Sequence, residues 1–168
     1  LVGLIGRAHP DWRIDNRAMT GARFADVVVQ LQAAPAGYDL VLVLAGGNDV
    51  IRLTRQDTLR AQLEEVATLA QQRGSRVVLM PSGNVGHAPF FLPPVSWLMG
   101  EGSQNLHAAV QQVAAAHQLR YVRLLKPKES DPFVAQSDVL HAADGLHPSS
   151  AGYQQWFEEL EKQGGLAP

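Results

Sequence analysis

Six apolar residues stand together at Leu40-Val-Leu-Val-Leu-Ala45 and run into Gly46-Gly47-Asn48-Asp49. A run of this length is too short for a free-standing helix and is bounded by turn formers, so it reads as a strand buried on both faces. A two-faced strand needs covering layers on either side of its sheet, which helices supply in an open α/β architecture. In such sheets ligands bind beyond the carboxyl ends of the strands. Asn48 and Asp49 are therefore delivered to the edge where chemistry is expected, although a glycine turn and a helix cap account for the same residues.

The rest of the chain alternates around that strand. Leu1–Ala8 reads as the tail of a helix, and Trp12–Asn16 alternates as a short strand with Trp12 and Ile14 on one face. Phe24, Val27, Val28 and Leu31 recur at helical spacing over 23–33, and Leu59, Leu63, Val66, Ala67 and Ala70 do so over 54–73. Strands are expected at 76–80 and 119–125, helices at 104–117 and 148–162, and irregular loops at 82–100 and 126–143. Helices alternating with strands predict a parallel sheet wrapped on both faces. The 168 residues suffice for one domain with a real core and carry no linker or repeat.

Composition narrows the function. A net charge of −2 without a basic patch argues against a nucleic-acid partner. The absence of cysteine excludes disulfides and thiolate metal sites and leaves the compartment open, cytoplasmic or exported. No apolar run approaches the roughly 20 residues of a membrane span. Leu1–Ile5 is too short for a signal peptide, and the lack of an initiator Met suggests that the natural start lies upstream.

A second motif, Asp144-Gly-Leu-His147-Pro148, lies near the other end. Asp and His at this spacing before a helix can share a pocket. A carboxylate on one imidazole nitrogen fixes the tautomer and leaves the other nitrogen free to take a proton from a hydroxyl. Pro148 suits the first helical position and would make the helix start abruptly. A turn with a capping Asp and an incidental His explains the same residues.

Together the two motifs resemble the SGNH (GDSL-like) hydrolase family. Gly46-Gly47-Asn48-Asp49 is similar to its Gly-x-Asn-Asp block, Asp144–Pro148 to its Asp-x-x-His-Pro block, and Asn16-Arg-Ala-Met-Thr-Gly21 to its Asn-x4-Gly loop. The resemblance covers nearly the whole chain. It implies a three-layer α/β/α, flavodoxin-like parallel sheet and a serine ester hydrolase that needs no metal or organic cofactor. It also implies His147 as general base, Asp144 as its orienting carboxylate, and an oxyanion hole from the Gly21 N–H and the Asn48 amide. Asp49 is expected to be structural.

The family's Gly-Asp-Ser block is missing from these residues. In the strand order 2-1-3-4-5 of this fold the strand before it sits between Trp12–Asn16 and Leu40–Ala45. The expectation is that both the strand and the nucleophilic Ser belong to an N-terminal segment upstream of Leu1. Without that segment buried strand edges would go unpaired, at roughly 1–3 kcal/mol for each unsatisfied group, and the residues are not expected to fold stably alone. Ser82 lies at a strand end but lacks a Gly-x-Ser-x-Gly elbow, and Ser149 suits a helix cap.

His87 and Trp97 are the candidate substrate contacts. Trp97 belongs to an apolar stretch, Ala88–Met99, that would either cover the sheet edge or wall an acyl chain. His141 could approach the site but has no third ligand for a metal. The expected substrate is a small ester or acylated molecule. The rival readings are a carbohydrate O-acetyl transferase or deacetylase, and a non-catalytic binding domain if the chain truly starts at Leu1. A dinucleotide-binding domain is disfavoured because no Gly-x-Gly-x-x-Gly opens a helix.

Overall fold

The computed structural model describes residues 1–166. In chain order the elements are α1 (Val2–Ala8), α2 (Phe24–Ala33), β1 (Tyr38–Ala45), α3 (Gly47–Ile51), α4 (Gln56–Arg73), β2 (Gly74–Pro81), α5 (Val95–Ala116), β3 (Arg120–Tyr121), α6 (Pro132–Ala135), α7 (Ser137–Leu140) and α8 (Ser150–Gly164), with a 3-10 turn at Val85–His87. The sheet is three-stranded in the order β1-β2-β3 and parallel throughout. Its register sets Val41 beside Val77 and Leu42 beside Val78, so neighbouring strands send matching residues to the same face.

The pleat sorts the core into two layers. Val43, Val77 and Leu79 face α2, α4 and α5, among buried Phe24, Leu63, Leu106 and Val110. Val78 and Met80 face the other way, with Leu160 of α8, Ile5 of α1 and Val122; Leu40, Leu42 and Leu44 pack on that layer. The α/β sandwich read from the sequence is therefore present. β2 is buried from Val77 to Pro81, whereas β1, just as apolar, is fully buried only at Val43. The difference follows from position: among the described residues β2 has a neighbour on each side and β1 only one.

Several element boundaries differ from expectation. Trp12–Asn16 forms no strand, because among the described residues no strand lies beside it to complete a ladder. The last strand pairs only at Arg120 and Tyr121, with one more bond from the Val122 N–H to the Leu79 carbonyl (2.9 Å). α5 begins at Val95, nine residues earlier than expected, with Pro94 as its N-cap. The prolines precede the helix rather than interrupt it, and a proline at a helix start forfeits no intrahelical bond. The segment expected to be irregular at 126–143 holds α6 and α7. Pro148 stands before the cap rather than inside the last helix. Ser149 is the N-cap of α8, its Oγ accepting from the Gly152 N–H at 3.1 Å.

Candidate active site

The site is built at the carboxyl edge of the sheet. β1 ends at Gly46, which takes a left-handed conformation (φ 108°). A Cβ there would sit 2.8 Å from the Leu106 side chain, so only glycine allows α3 to start so tightly. α3 carries Asn48, whose Nδ2 donates to the Ala22 carbonyl at 3.2 Å. Asn48 is thereby tied to the loop residue next to Gly21, itself at φ 78°. An amide nitrogen has two N–H donors, and Ala22 uses one.

Asp49 is structural, as expected. It is buried and accepts from the Phe24 N–H at 3.1 Å and the Thr54 hydroxyl at 3.2 Å, fastening α2 to the turn after α3. Burial pushes its carboxyl upward, and these bonds partly oppose that.

The segment between α7 and α8 forms a closed loop. The His147 carbonyl accepts from the Ala142 N–H at 2.8 Å, and His141 bridges Pro148. Within it the two oxygens of Asp144 do different jobs. Oδ1 accepts from the N–H groups of Leu146 (2.9 Å) and His147 (3.0 Å), and Oδ2 lies 2.6 Å from His147 Nδ1. The bond to the His147 side chain, with help from the two backbone bonds, holds the Asp144 carboxyl well below the usual carboxylate range. A carboxylate only accepts, so Nδ1 carries a proton, and in the neutral imidazole Nε2 then offers a lone pair. The imidazole is 60% exposed, so that lone pair is open to an incoming group. Leu146 packs on the same core layer as Phe91, Val43 and Leu106, which anchors this loop to the sheet.

The apolar stretch meets the His loop directly. The Phe90 N–H donates to the Gly145 carbonyl at 3.0 Å. Beyond it Phe90, Leu92, Trp97 and Leu98 are exposed, Leu92 by 74% and Trp97 by 71%, while Phe91 turns into the core.

His87 is held inside the protein. Its Nδ1 donates to Asp131 at 2.6 Å, and its Nε2 meets the Asn84 amide at 3.1 Å. Asp131 also caps α6 by accepting from the Phe133 N–H (3.0 Å). Both ring nitrogens are engaged, so His87 pins the segment after β2 to α6 and has no polar atom left for a substrate. The Ser82 Oγ is buried without a hydrogen-bond partner and lies against Gly47, where a Cβ would sit 2.9 Å from it.

One buried group escaped the sequence reading. His107 Nε2 donates to the Ser82 carbonyl at 2.7 Å, and its Nδ1 accepts from the Tyr121 hydroxyl at 2.6 Å. Burial lowers the His107 pKa to about 4 and pushes that of Tyr121 up to about 12. A neutral imidazole thus fixes the end of β2 beside Gly47. Nothing local signals this, because Ser82 lies 25 residues away. Among the described residues no three His, Asp or Glu side chains group as metal ligands, and no helix is long and apolar enough to cross a membrane.

The model of the GDSL-like Lipase/Acylhydrolase family matches residues 1–155. The chain belongs to that family. Among solved structures, a lipase/acylhydrolase from Enterococcus faecalis shares 26% identity and a TM-score of 0.70, covering 99% of this chain and 86% of its own. The acetylxylan esterase Axe2 from Geobacillus stearothermophilus shares 20% identity at a TM-score of 0.68, covering 99% and 79%, a likeness of fold. Among curated proteins none matches the sequence. As a GDSL-like acylhydrolase the chain is an ester hydrolase of the α/β type.

Proposed function

We propose that this GDSL-like hydrolase cleaves carboxylic esters through an acyl-enzyme, with His147 as general base. The observation that carries the reading is the 2.6 Å bond between His147 Nδ1 and Asp144 on an exposed imidazole, an arrangement in which the neutral ring keeps its lone pair on Nε2. In this scheme a serine hydroxyl on a segment upstream of Leu1 attacks the ester carbonyl while Nε2 takes its proton. Asp144 stabilises the imidazolium that forms. The second amide N–H of Asn48 and the backbone N–H of Gly21 receive the developing oxyanion. His147 returns the proton to the leaving alcohol, then activates water to release the acid.

Trp97, with Phe90 and Leu92, forms the wall for the apolar part of the substrate. Their exposure, on a stretch whose Phe90 N–H bonds to Gly145 of the Asp144–His147 loop, supports esters bearing a hydrophobic group. A second reading, deacetylation or acetyl transfer on a carbohydrate, takes its support from the fold shared with an acetylxylan esterase and uses the same groups with a different acceptor. The test is turnover of p-nitrophenyl acetate, butyrate and octanoate by the full-length protein, alongside acetylated xylan, with intact-mass detection of an acylated serine. Hydrolysis with a trapped serine adduct is expected. No turnover of any of these esters would refute the proposal, and turnover of acetylated xylan alone would move it to the carbohydrate reading.

A further inference from the structure

α3 is too short to hold its own place. It runs five residues, Gly47–Ile51, and is closed by bonds from the Val50 N–H to the Gly46 carbonyl (3.1 Å) and from the Arg52 N–H to the Asn48 carbonyl (3.0 Å). So short a helix has no stability of its own, so its position is set by what it rests on. Asp49 ties it to Phe24 of α2 and to Thr54. A second set of contacts comes from one face of α5, where Gly102, Leu106 and His107 stand at helical spacing. Leu106, fully buried, lies against Gly46. Gly102 lies against Val50, whose side chain a Cβ there would meet at 3.0 Å. His107 reaches the same turn through one intermediary. Its Nε2 holds the Ser82 carbonyl at 2.7 Å, and the Ser82 Oγ lies 2.9 Å from where a Cβ on Gly47 would stand. α5 therefore bears on Gly46, Gly47 and Val50, the residues on either side of Asn48.

We propose that His107 and Ser82 are positioning residues for the Asn48 amide. His107 fixes the Ser82 backbone, and the Ser82 side chain fixes where Gly47 can lie. Among the described residues the Ser82 Oγ has no hydrogen-bond partner, and a buried hydroxyl without one adds nothing to stability. What it supplies at Gly47 is contact. Asn48 spends one N–H on the Ala22 carbonyl, so where its second N–H points depends on where the turn sits. A donor of this kind works only within about 0.5 Å of its productive place. The inference rests on the proposed function for what the amide does in turnover; the support of α3 by α5 stands on the contacts alone.

The full-length protein tests both parts. In His107→Leu, kcat for p-nitrophenyl acetate is expected to fall about tenfold, and in Ser82→Ala about threefold or more, with KM within about threefold in each. His107→Gln keeps an N–H donor for the Ser82 carbonyl and should stay within about threefold of wild type. In an Asn48→Ala background both losses should shrink to less than about twofold, because the group they position is gone. Equal losses in the two backgrounds, or no loss in either, would overturn the inference. Ser82→Ala removes only an unpaired hydroxyl and should melt like the wild type, so it carries the test if His107→Leu does not fold. The Asn48 side-chain amide is also read directly in ¹H–¹⁵N spectra, assigned by its disappearance in Asn48→Ala. It should shift in Ser82→Ala, and an unmoved resonance would overturn the inference. A shifted resonance together with an Asn48→Ala protein of wild-type kcat would retain the positioning and refute the oxyanion role of Asn48.

Discussion

Replacing Asp144 with Asn separates the two jobs that its carboxylate performs. Oδ1 holds the loop by accepting from the Leu146 and His147 N–H groups at 2.9 and 3.0 Å, and an asparagine carbonyl keeps both bonds. Oδ2 holds the imidazole at 2.6 Å, and there the new amide offers N–H donors. A donor facing Nδ1 turns that nitrogen into the acceptor and moves the ring proton to Nε2. The proposed base would then point a proton, not a lone pair, at the nucleophile. Wrong-tautomer substitutions of this type reduce turnover by about 10⁴ in serine hydrolases. Here the imidazole is 60% exposed and can flip more freely, so the expected loss in kcat is on the order of 10³–10⁴. KM should stay within about threefold, because ground-state binding is untouched. The assay is initial-rate hydrolysis of p-nitrophenyl acetate by the full-length protein, with thermal melting by circular dichroism as the control. A D144N protein that melts like the wild type and keeps more than about one tenth of its kcat would refute the two-oxygen account.

Asn48→Ala removes one of the two proposed oxyanion donors and should lower kcat about 10²–10³-fold, read in the same assay. Trp97→Ala should raise KM for octanoate several-fold while leaving acetate turnover and the melting temperature nearly unchanged, since Trp97 is 71% exposed. His107 predicts acid sensitivity. Its folded pKa of about 4 lies below the ordinary 6.5, so the unfolded chain takes the proton first. The stability it contributes is complete above pH 6.5 and is lost as pH falls towards 4, by about 3 kcal/mol in all. Urea melts at pH 7.5 and pH 4.5 should show a steeper loss in the wild type than in His107→Gln; equal slopes would contradict the assignment.

What could be read from the sequence was local. The run Leu40–Ala45 showed β1 because six apolar residues need two covering layers, and the stripe Leu59–Ala70 showed α4 because its period is helical. Gly46–Asp49 and Asp144–Pro148 were legible because each packs its chemistry into five residues or fewer. The unread parts depend on partners distant in sequence. Trp12–Asn16 alternates correctly but is no strand without a neighbour. The stretch 82–100 is expected to be an irregular loop, yet α5 starts within it at Val95, directly after Pro94. His87 looked like a substrate contact until Asp131, 44 residues away, took its Nδ1. His107 gave no sign that it would clamp the Ser82 carbonyl.

The central claim is that the imidazole of His147 is the base of an ester hydrolase. Its most direct test is kcat/KM for p-nitrophenyl acetate in full-length wild type and His147→Ala, measured side by side with folding checked by circular dichroism. The account predicts a fall of at least about 10³-fold in the variant. A folded His147→Ala protein that keeps its rate within about tenfold of wild type would contradict it.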